Sequence, residues 1–551
     1  MEDWRLDPGL KLKVVKIEGS CPFETKIRGI ITMLKRSLFL ALSMAILTTL
    51  PAAAQQAQPQ LLRQPVRFRI TLSRDIASKT VSGRVIVLMT NSTQARDPLT
   101  VGFVPGSTWL AAKEVAAFLP GQTIELDPDI VAYPRRFSDA KPGTYQVMAL
   151  LDPNHTYAYH GQDEGDLTSG VVKLENMNPA EAKPVELTLT RVTAGRFKPE
   201  NTDTVKLAEL QSKLLSRFWG REIKVRAGIV LPPDYDKEKN KRYPAVYHIH
   251  GFGGDHTGAW RSGNQSLKDA FSGKYAEMIH VYLDGSFPTG HHEFADSVNN
   301  GPWGRALTEE FIPYLEKNFR LVARPYARFL TGHSSGGWSS LWLQVTYPDF
   351  FGGTWSTAPD PVDLRSFTGI DASVGSKDNA FREADGKAKI LVRMNGKDFV
   401  SFEDFLHQEE VLGEYGGQLA SFEWVWSPRG QDGRPIKMFN RETGELNQDV
   451  LKYWQNYDIR LILENNWQKL GPKLKGKINV ICGDADTFRL NEAVVMLCDM
   501  LKRKGSDAVC ELVPGRDHGS LYQPYKTFPD GLTDRIYKEM SAKYKNAVKV
   551  K

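Results

Sequence analysis

The sequence predicts an α/β fold, a mostly parallel sheet with helices on both faces, preceded by an antiparallel β-sandwich of immunoglobulin-like texture. Three observations carry this. A short apolar run, Arg328-Phe329-Leu330-Thr331, enters the G-x-S-x-G pentapeptide Gly332-His333-Ser334-Ser335-Gly336 and leaves it through a helix-like run at 338–343. Two further apolar runs downstream, 477–482 and 508–513, each end in a loop that carries an acid or a histidine. Between 66 and 192, by contrast, apolar and polar residues alternate at a period of two between turn residues.

The alternating region comes first in the chain. Val66-Arg67-Phe68-Arg69-Ile70-Thr71-Leu72 reads as a half-buried strand, as do 83–89, 143–152 and 185–190. The expected organisation is an accessory β-sandwich over 65–195, which braces the rest, and an α/β domain over 196–551. His155, Tyr157, Tyr159 and His160 lie in a loop of the sandwich and are expected to decorate it in solvent.

The first strand of the second part, 243–249, runs into His250-Gly251-Phe252-Gly253-Gly254-Asp255. A Gly-rich turn there can present backbone N–H groups to a developing oxyanion, with Phe252 as the expected donor. The second donor would be the N–H of Ser335, directly after the nucleophile candidate Ser334. Such preorganised donors contribute roughly 3–4 kcal/mol each in a transition state. A strand that turns sharply into a helix needs small residues around the turn, and that turn lifts the Ser334 hydroxyl out of the sheet.

A serine hydroxyl is a poor nucleophile unless a histidine takes its proton, and the histidine needs a carboxylate to fix its tautomer. Strand 477–482 ends at Gly483-Asp484-Ala485-Asp486, and strand 508–513 ends at Pro514-Gly515-Arg516-Asp517-His518-Gly519. The order Ser, Asp, His, each after a strand, is that of α/β-hydrolases. Catalytic candidates are therefore Ser334, Asp486 and His518. Asp484 is the alternative acid, but it directly follows the glycine that ends its strand, where a carboxylate tends to bond nearby backbone N–H groups.

The stretch from about Tyr243 to His518 resembles the putative-esterase family of α/β-hydrolases, which includes feruloyl esterases, enterochelin-type siderophore esterases, S-formylglutathione hydrolase and mycobacterial mycolyltransferases. The resembling residues are His250-Gly251-Phe252-Gly253-Gly254, the run 307–316, Gly332 to Gly337, Tyr347-Pro348-Asp349-Phe350-Phe351-Gly352, Asp486-Thr487-Phe488 and His518. The resemblance implies a Ser-His-Asp carboxylic ester hydrolase without choosing its ester. Asp486-Thr487-Phe488 resembles the acid-bearing segment of S-formylglutathione hydrolase, which points to Asp486 again. The chain departs from the compact pattern in an insertion at about 362–475, longer than a crossover helix needs. Its Trp424, Trp426, Trp454 and Trp467 suggest a cap or a wall of the substrate cleft.

The N-terminus reads as a secretory leader. Met33-Leu34-Lys35-Arg36 is a basic start, 37–50 is apolar, and Pro51-Ala52-Ala53-Ala54 supplies a small-residue cleavage site. Residues 33–54 are the expected signal peptide, 1–32 an upstream extension and 55–64 a Gln/Pro-rich linker; no stable membrane span is expected in the mature chain. Location is thus secreted or periplasmic. The net charge of +6 over 551 residues is spread along the chain and gives no case for nucleic acid as a partner. Of the four cysteines, Cys498 and Cys510 are the expected disulfide and Cys482 a buried thiol. Asp163, Glu164, Asp166 and Asp296 match no calcium loop, and His291-His292-Glu293 lacks the rest of a zinc motif, so no metal and no cofactor are assigned. That last segment is expected at the rim of the site. The function expected is a serine esterase acting on a small-molecule or polysaccharide-linked ester of carbohydrate, phenolic or siderophore type. A secreted acyltransferase with the same triad is the alternative, and a non-catalytic binding protein the weaker one.

Overall fold

The structure is a computed structural model and describes residues 64–550 except 93–96, 98, 196, 262–267, 269–270, 272 and 414. The expected extension at 1–32, the signal peptide at 33–54, Cys21 and all but the last residue of the linker lie outside the described residues. The described residues belong to one compact unit.

The central sheet has eight strands: β1 (Val205–Gln211), β2 (Lys224–Val230), β3 (Ala245–Ile249), β4 (Ile279–Leu283), β5 (Arg328–His333), β6 (Gly353–Thr357), β7 (Ile478–Gly483) and β8 (Val509–Val513). Their order is β1-β2-β4-β3-β5-β6-β7-β8. β1 and β2 are antiparallel, β2 is antiparallel to β4, and every pairing from β4 to β8 is parallel. This mixed sheet is of the α/β-hydrolase type. Parallel strands covered on both faces must be apolar throughout; β6 and β7 are buried at every position. Helix α1 (Ser335–Thr346) crosses from β5 to β6. The carboxyl ends of β3, β5, β6, β7 and β8 therefore open on one side, where ligands bind in such sheets.

Before β1 lie two smaller sheets. Phe68–Leu72 sits between Thr123–Leu126 and Val185–Leu189. Its pairing with the latter is parallel, so this layer is not antiparallel throughout as expected. Val81–Thr90 lies between Trp109–Phe118 and Gly143–Asp152, antiparallel to both. The two sheets share one apolar cluster that includes Phe68, Ile70, Val85, Val87, Val147 and Leu187. The strand expected to be half-buried at 83–89 is covered on both faces. Its other side, Ile86 and Leu88, packs with Val411 and Leu412 of helix α2 (Phe402–Leu412). Arg84, buried in that contact, donates to the carbonyls of Glu410 and Val411 over 2.8 and 2.9 Å. It thereby satisfies two orphan acceptors at the end of α2.

Helices α2 and α3 (Gln418–Trp426) belong to the insertion. Three of its tryptophans do not form a binding wall. Trp424, Trp426 and Trp454 are buried, and Trp426 packs on Trp338 of α1 with ring centroids 5.0 Å apart. Trp467 is partly buried against the same core. Aromatic rings release the most free energy when taken out of water altogether, and here the insertion supplies core to the catalytic layers. Helix α4 (Leu490–Arg503) carries Cys498, bridged to Cys510 of β8 with Cα atoms 6.0 Å apart; Cys482 is a buried free thiol. No helix of the described residues is long and apolar enough to cross a membrane.

Candidate active site

Ser334 is the single residue between β5 and α1, with φ 59° and ψ −124°. A non-glycine residue held there stores about 1–3 kcal/mol of strain and persists only where its surroundings enforce it. They do so here: the Ser334 N–H donates to the Thr357 carbonyl of β6 (3.1 Å), and its carbonyl accepts from the N–H groups of Trp338 (3.0 Å) and Asp360 (3.2 Å). The flanking glycines are required by space. A Cβ on Gly332 would strike the carbonyl of Gly336, and one on Gly336 would strike the carbonyl of Ile249 on β3.

Asp486 and His518 lie in the loops after β7 and β8. The His518 Nδ1–H donates to Asp486 Oδ2 over 2.8 Å. The other oxygen of Asp486 accepts from the N–H groups of Phe488 (2.9 Å) and Leu490 (3.3 Å), which fixes the carboxylate. Asp484 does something else: its Oδ1 accepts from the N–H of Gly515 over 2.7 Å and so ties the two loops together. Burial opposes protonation of His518, but the bond to Asp486 and its charge, with Asp360 and Asp517 beside it, raise the imidazole above its ordinary value. With Nδ1 donating to Asp486, Nε2 is left as the acceptor. The His333 ring lies 4.4 Å from that of His518, and burial followed by the His518 charge lowers it to about 3, so it stays neutral.

Ser334 and His518 line one cavity of about 260 Å³. No Ser334–His518 hydrogen bond is present among the described residues; the Ser334 hydroxyl donates instead to Asp360 Oδ1 over 3.3 Å. Ser335 opens α1, so its N–H has no carbonyl one turn back to pair with. Its side chain is buried and donates to Asp360 Oδ2 over 2.6 Å. Gly251 and Phe252 line the same cavity, and a Cβ on Gly251 would lie 3.3 Å from that of Ser334. The two expected oxyanion donors thus belong to segments that meet at Ser334.

The remaining walls are mostly apolar, with Thr368 and Gln418 the polar residues among them. Phe405, Leu419 and Phe422 come from the insertion, Phe488 from the Asp486 loop and Phe103 from the N-terminal layers. Phe103 packs on Phe252, Phe405 and Phe488 with centroids 5.5, 5.1 and 6.0 Å away. The loop expected to be solvent decoration is packed as well: Tyr157 and Tyr159 are buried, and the Tyr159 ring lies 4.7 Å from Phe252. His291, His292 and Glu293 are not at a rim but fully buried. His291 Nε2 bonds the His250 carbonyl (3.0 Å) and Glu293 accepts from Ser339 of α1 (2.7 Å). Among the described residues no cluster of three or more His, Cys, Asp or Glu could hold a metal ion.

Sequence reasoning missed Asp360 and Phe103. Asp360 had a signal, since it follows β6 and every loop after a parallel strand opens on the same crevice. Phe103 had none, because its loop shows no periodicity.

Comparison with known proteins places residues 216–402 in a match to the family described as Putative esterase, which is the resemblance the motifs carry. An esterase of Mycobacterium tuberculosis strain H37Rv is 30% identical over 145 residues, 26% of this chain and 30% of its own. Dipeptidyl-peptidase 5 of Aspergillus oryzae is 27% identical over 164 residues, 28% of this chain and 20% of its own. The chain thus spans between a fifth and about a third of the length of the curated relatives it matches. Among solved structures, a ferulic acid esterase aligns over 61% of this chain and 99% of its own at 16% identity and a TM-score of 0.37. An S-formylglutathione hydrolase from Agrobacterium tumefaciens aligns over 63% and 98% at 14% identity and a TM-score of 0.36.

Proposed function

We propose that this chain, which carries the putative-esterase match across its nucleophile segment, is a secreted or periplasmic serine esterase that hydrolyses carboxylic esters through an acyl-enzyme. The observation that carries the reading is a strained serine and a carboxylate-held histidine lining one apolar cavity. Ser334 Oγ attacks the ester carbonyl carbon as His518 Nε2 takes its proton, and Asp486 stabilises the imidazolium. The N–H groups of Phe252 and Ser335 hold the oxyanion. His518 returns the proton to the leaving alcohol, and Ser334 is left acylated. Water then attacks with His518 as base again, and the acid departs.

The aromatic walls favour an apolar or aryl acyl group, with the alcohol half, a small molecule or a polysaccharide-linked unit, toward solvent. The two sheets before residue 195 act in this reading as an immunoglobulin-like accessory module that completes the wall through Phe103. Export rests on the leader at 33–54. The Cys498–Cys510 bridge supports it, because such bonds persist in oxidising compartments.

Hydrolysis of p-nitrophenyl acetate tests the activity, with and without an added alcohol or sugar. Wild type should release p-nitrophenol and acetate, and Ser334→Ala, still folded, should not. Acyl transfer to the added acceptor as the main product would make the chain an acyltransferase. N-terminal sequencing of exported protein should begin near Gln55; a chain that keeps 33–54 argues for an anchor instead.

A further inference from the structure

The loop after β6 brings a further carboxyl group to the nucleophile. Asp360 is 4% exposed. Its Oδ1 accepts from Ser334 Oγ at 3.3 Å, and its Oδ2 accepts from Ser335 Oγ at 2.6 Å and from Gln418 Nε2 of α3 at 3.3 Å. The Ser334 hydroxyl has a single proton to give. While it is given to Asp360 it is not given to His518, and His518 cannot act as its base. We propose that Asp360 is a positioning residue for the nucleophile: as a carboxylate it holds the Ser334 proton away from His518, and as a neutral acid it releases it. The proposal rests on Ser334 being the nucleophile, as argued above.

The surroundings of Asp360 suit such a role. Burial, then the neighbouring Glu293, push it up to about 7, against the Ser335 bond and the nearby His518 and His291. Glu293 is itself held well above the usual carboxylate range by burial, and His291 is lowered to about 4 by burial. From α2, Glu409 is also raised by burial to about 7, but its oxygens face the N–H groups of Leu419 and Ala420. Asp486 lies across His518, and neutral His333 beside it. The charges of Asp360 and His518 act on each other, so the two groups titrate as a pair. The competent form has neutral His518 and neutral Asp360. It carries one proton fewer than the acid form and one more than the alkaline form, so activity should rise and then fall with pH.

The test is kcat/KM for p-nitrophenyl acetate from pH 5 to pH 9.5 in wild type, Asp360→Asn and Asp360→Ser. Folding is checked by thermal melting, and labelling of Ser334 by a fluorophosphonate is followed in parallel. Wild type should peak and then lose about fivefold or more by the alkaline end. Both variants should rise to a plateau without the fall, because the carboxylate that withholds the Ser334 proton at high pH is gone. A purely structural role would scale activity equally at every pH. A wild-type plateau to pH 9.5, or a fall that persists in either folded variant, overturns the proposal. A folded wild type that neither hydrolyses nor is labelled at any pH overturns the nucleophile assignment and this proposal with it.

Discussion

The Tyr159 hydroxyl donates to the Gly254 carbonyl over 3.0 Å. One bond therefore joins the N-terminal layers to the loop that carries Phe252. Burial pushes the phenol well above its ordinary value, so it stays a donor at any working pH. The contact makes the first two sheets part of the site's geometry.

Tyr159→Phe should leave the fold in place, at a cost of about 1 kcal/mol for the lost bond. It should lower kcat for a small ester several-fold with little change in KM, because the loop is the proposed oxyanion donor and acts in the transition state. Steady-state kinetics beside a melting curve separates this from general destabilisation.

Trp426→Ala should destabilise the chain by about 3–5 kcal/mol, since a large fully buried ring is removed from between α1 and the rest of the insertion. Deleting 362–475 should accordingly yield unfolded or insoluble protein. A soluble, cooperatively melting deletion variant would show that the insertion is detachable.

Asp360 predicts a pH-dependent stability. Its folded-state value, about 7, lies above the unfolded one, 3.8. For a raised group the stabilising contribution is fully present below the unfolded value and is lost as pH rises through the folded one. Asp360→Asn should therefore gain on wild type as pH climbs from 4 to 7 and hold its gain beyond. The gain should be on the order of 2 kcal/mol, a few degrees in Tm. A constant difference in Tm across that window would contradict the assignment.

Asp486→Asn should cut kcat by about 10⁴ with little effect on KM, since the imidazole loses its tautomer lock. Asp484→Asn should retain most activity and melt lower, because its carboxylate holds Gly515 rather than His518. If Asp484→Asn is the inactive variant, the two roles exchange.

Ser334, Asp486 and His518 were legible because each follows an apolar strand in a short loop, so local sequence alone gives its position relative to the sheet. That Asp486 rather than Asp484 lies against His518 was legible for the same local reason, the turn chemistry after Gly483. The stretch 362–475 was legible as longer than a crossover helix needs, but its tryptophans were not legible as core, because a run of aromatics carries no sign of whether it faces solvent or another helix. The burial of 83–90 on both faces depends on α2, more than 300 residues away in sequence, and no periodicity in the strand announces that partner. Phe103 and Tyr159 reach the site only through tertiary packing.

Acylation of Ser334 is the step on which the proposed function turns. It is checked by mixing wild type with a slowly hydrolysed ester, quenching in acid and mapping the adduct by peptide mass spectrometry. One acyl group is expected, on the peptide containing Ser334, accumulating in His518→Ala only at a trace rate and never in Ser334→Ala. Ester turnover by folded protein with the adduct on another residue, or undiminished in Ser334→Ala, would contradict it.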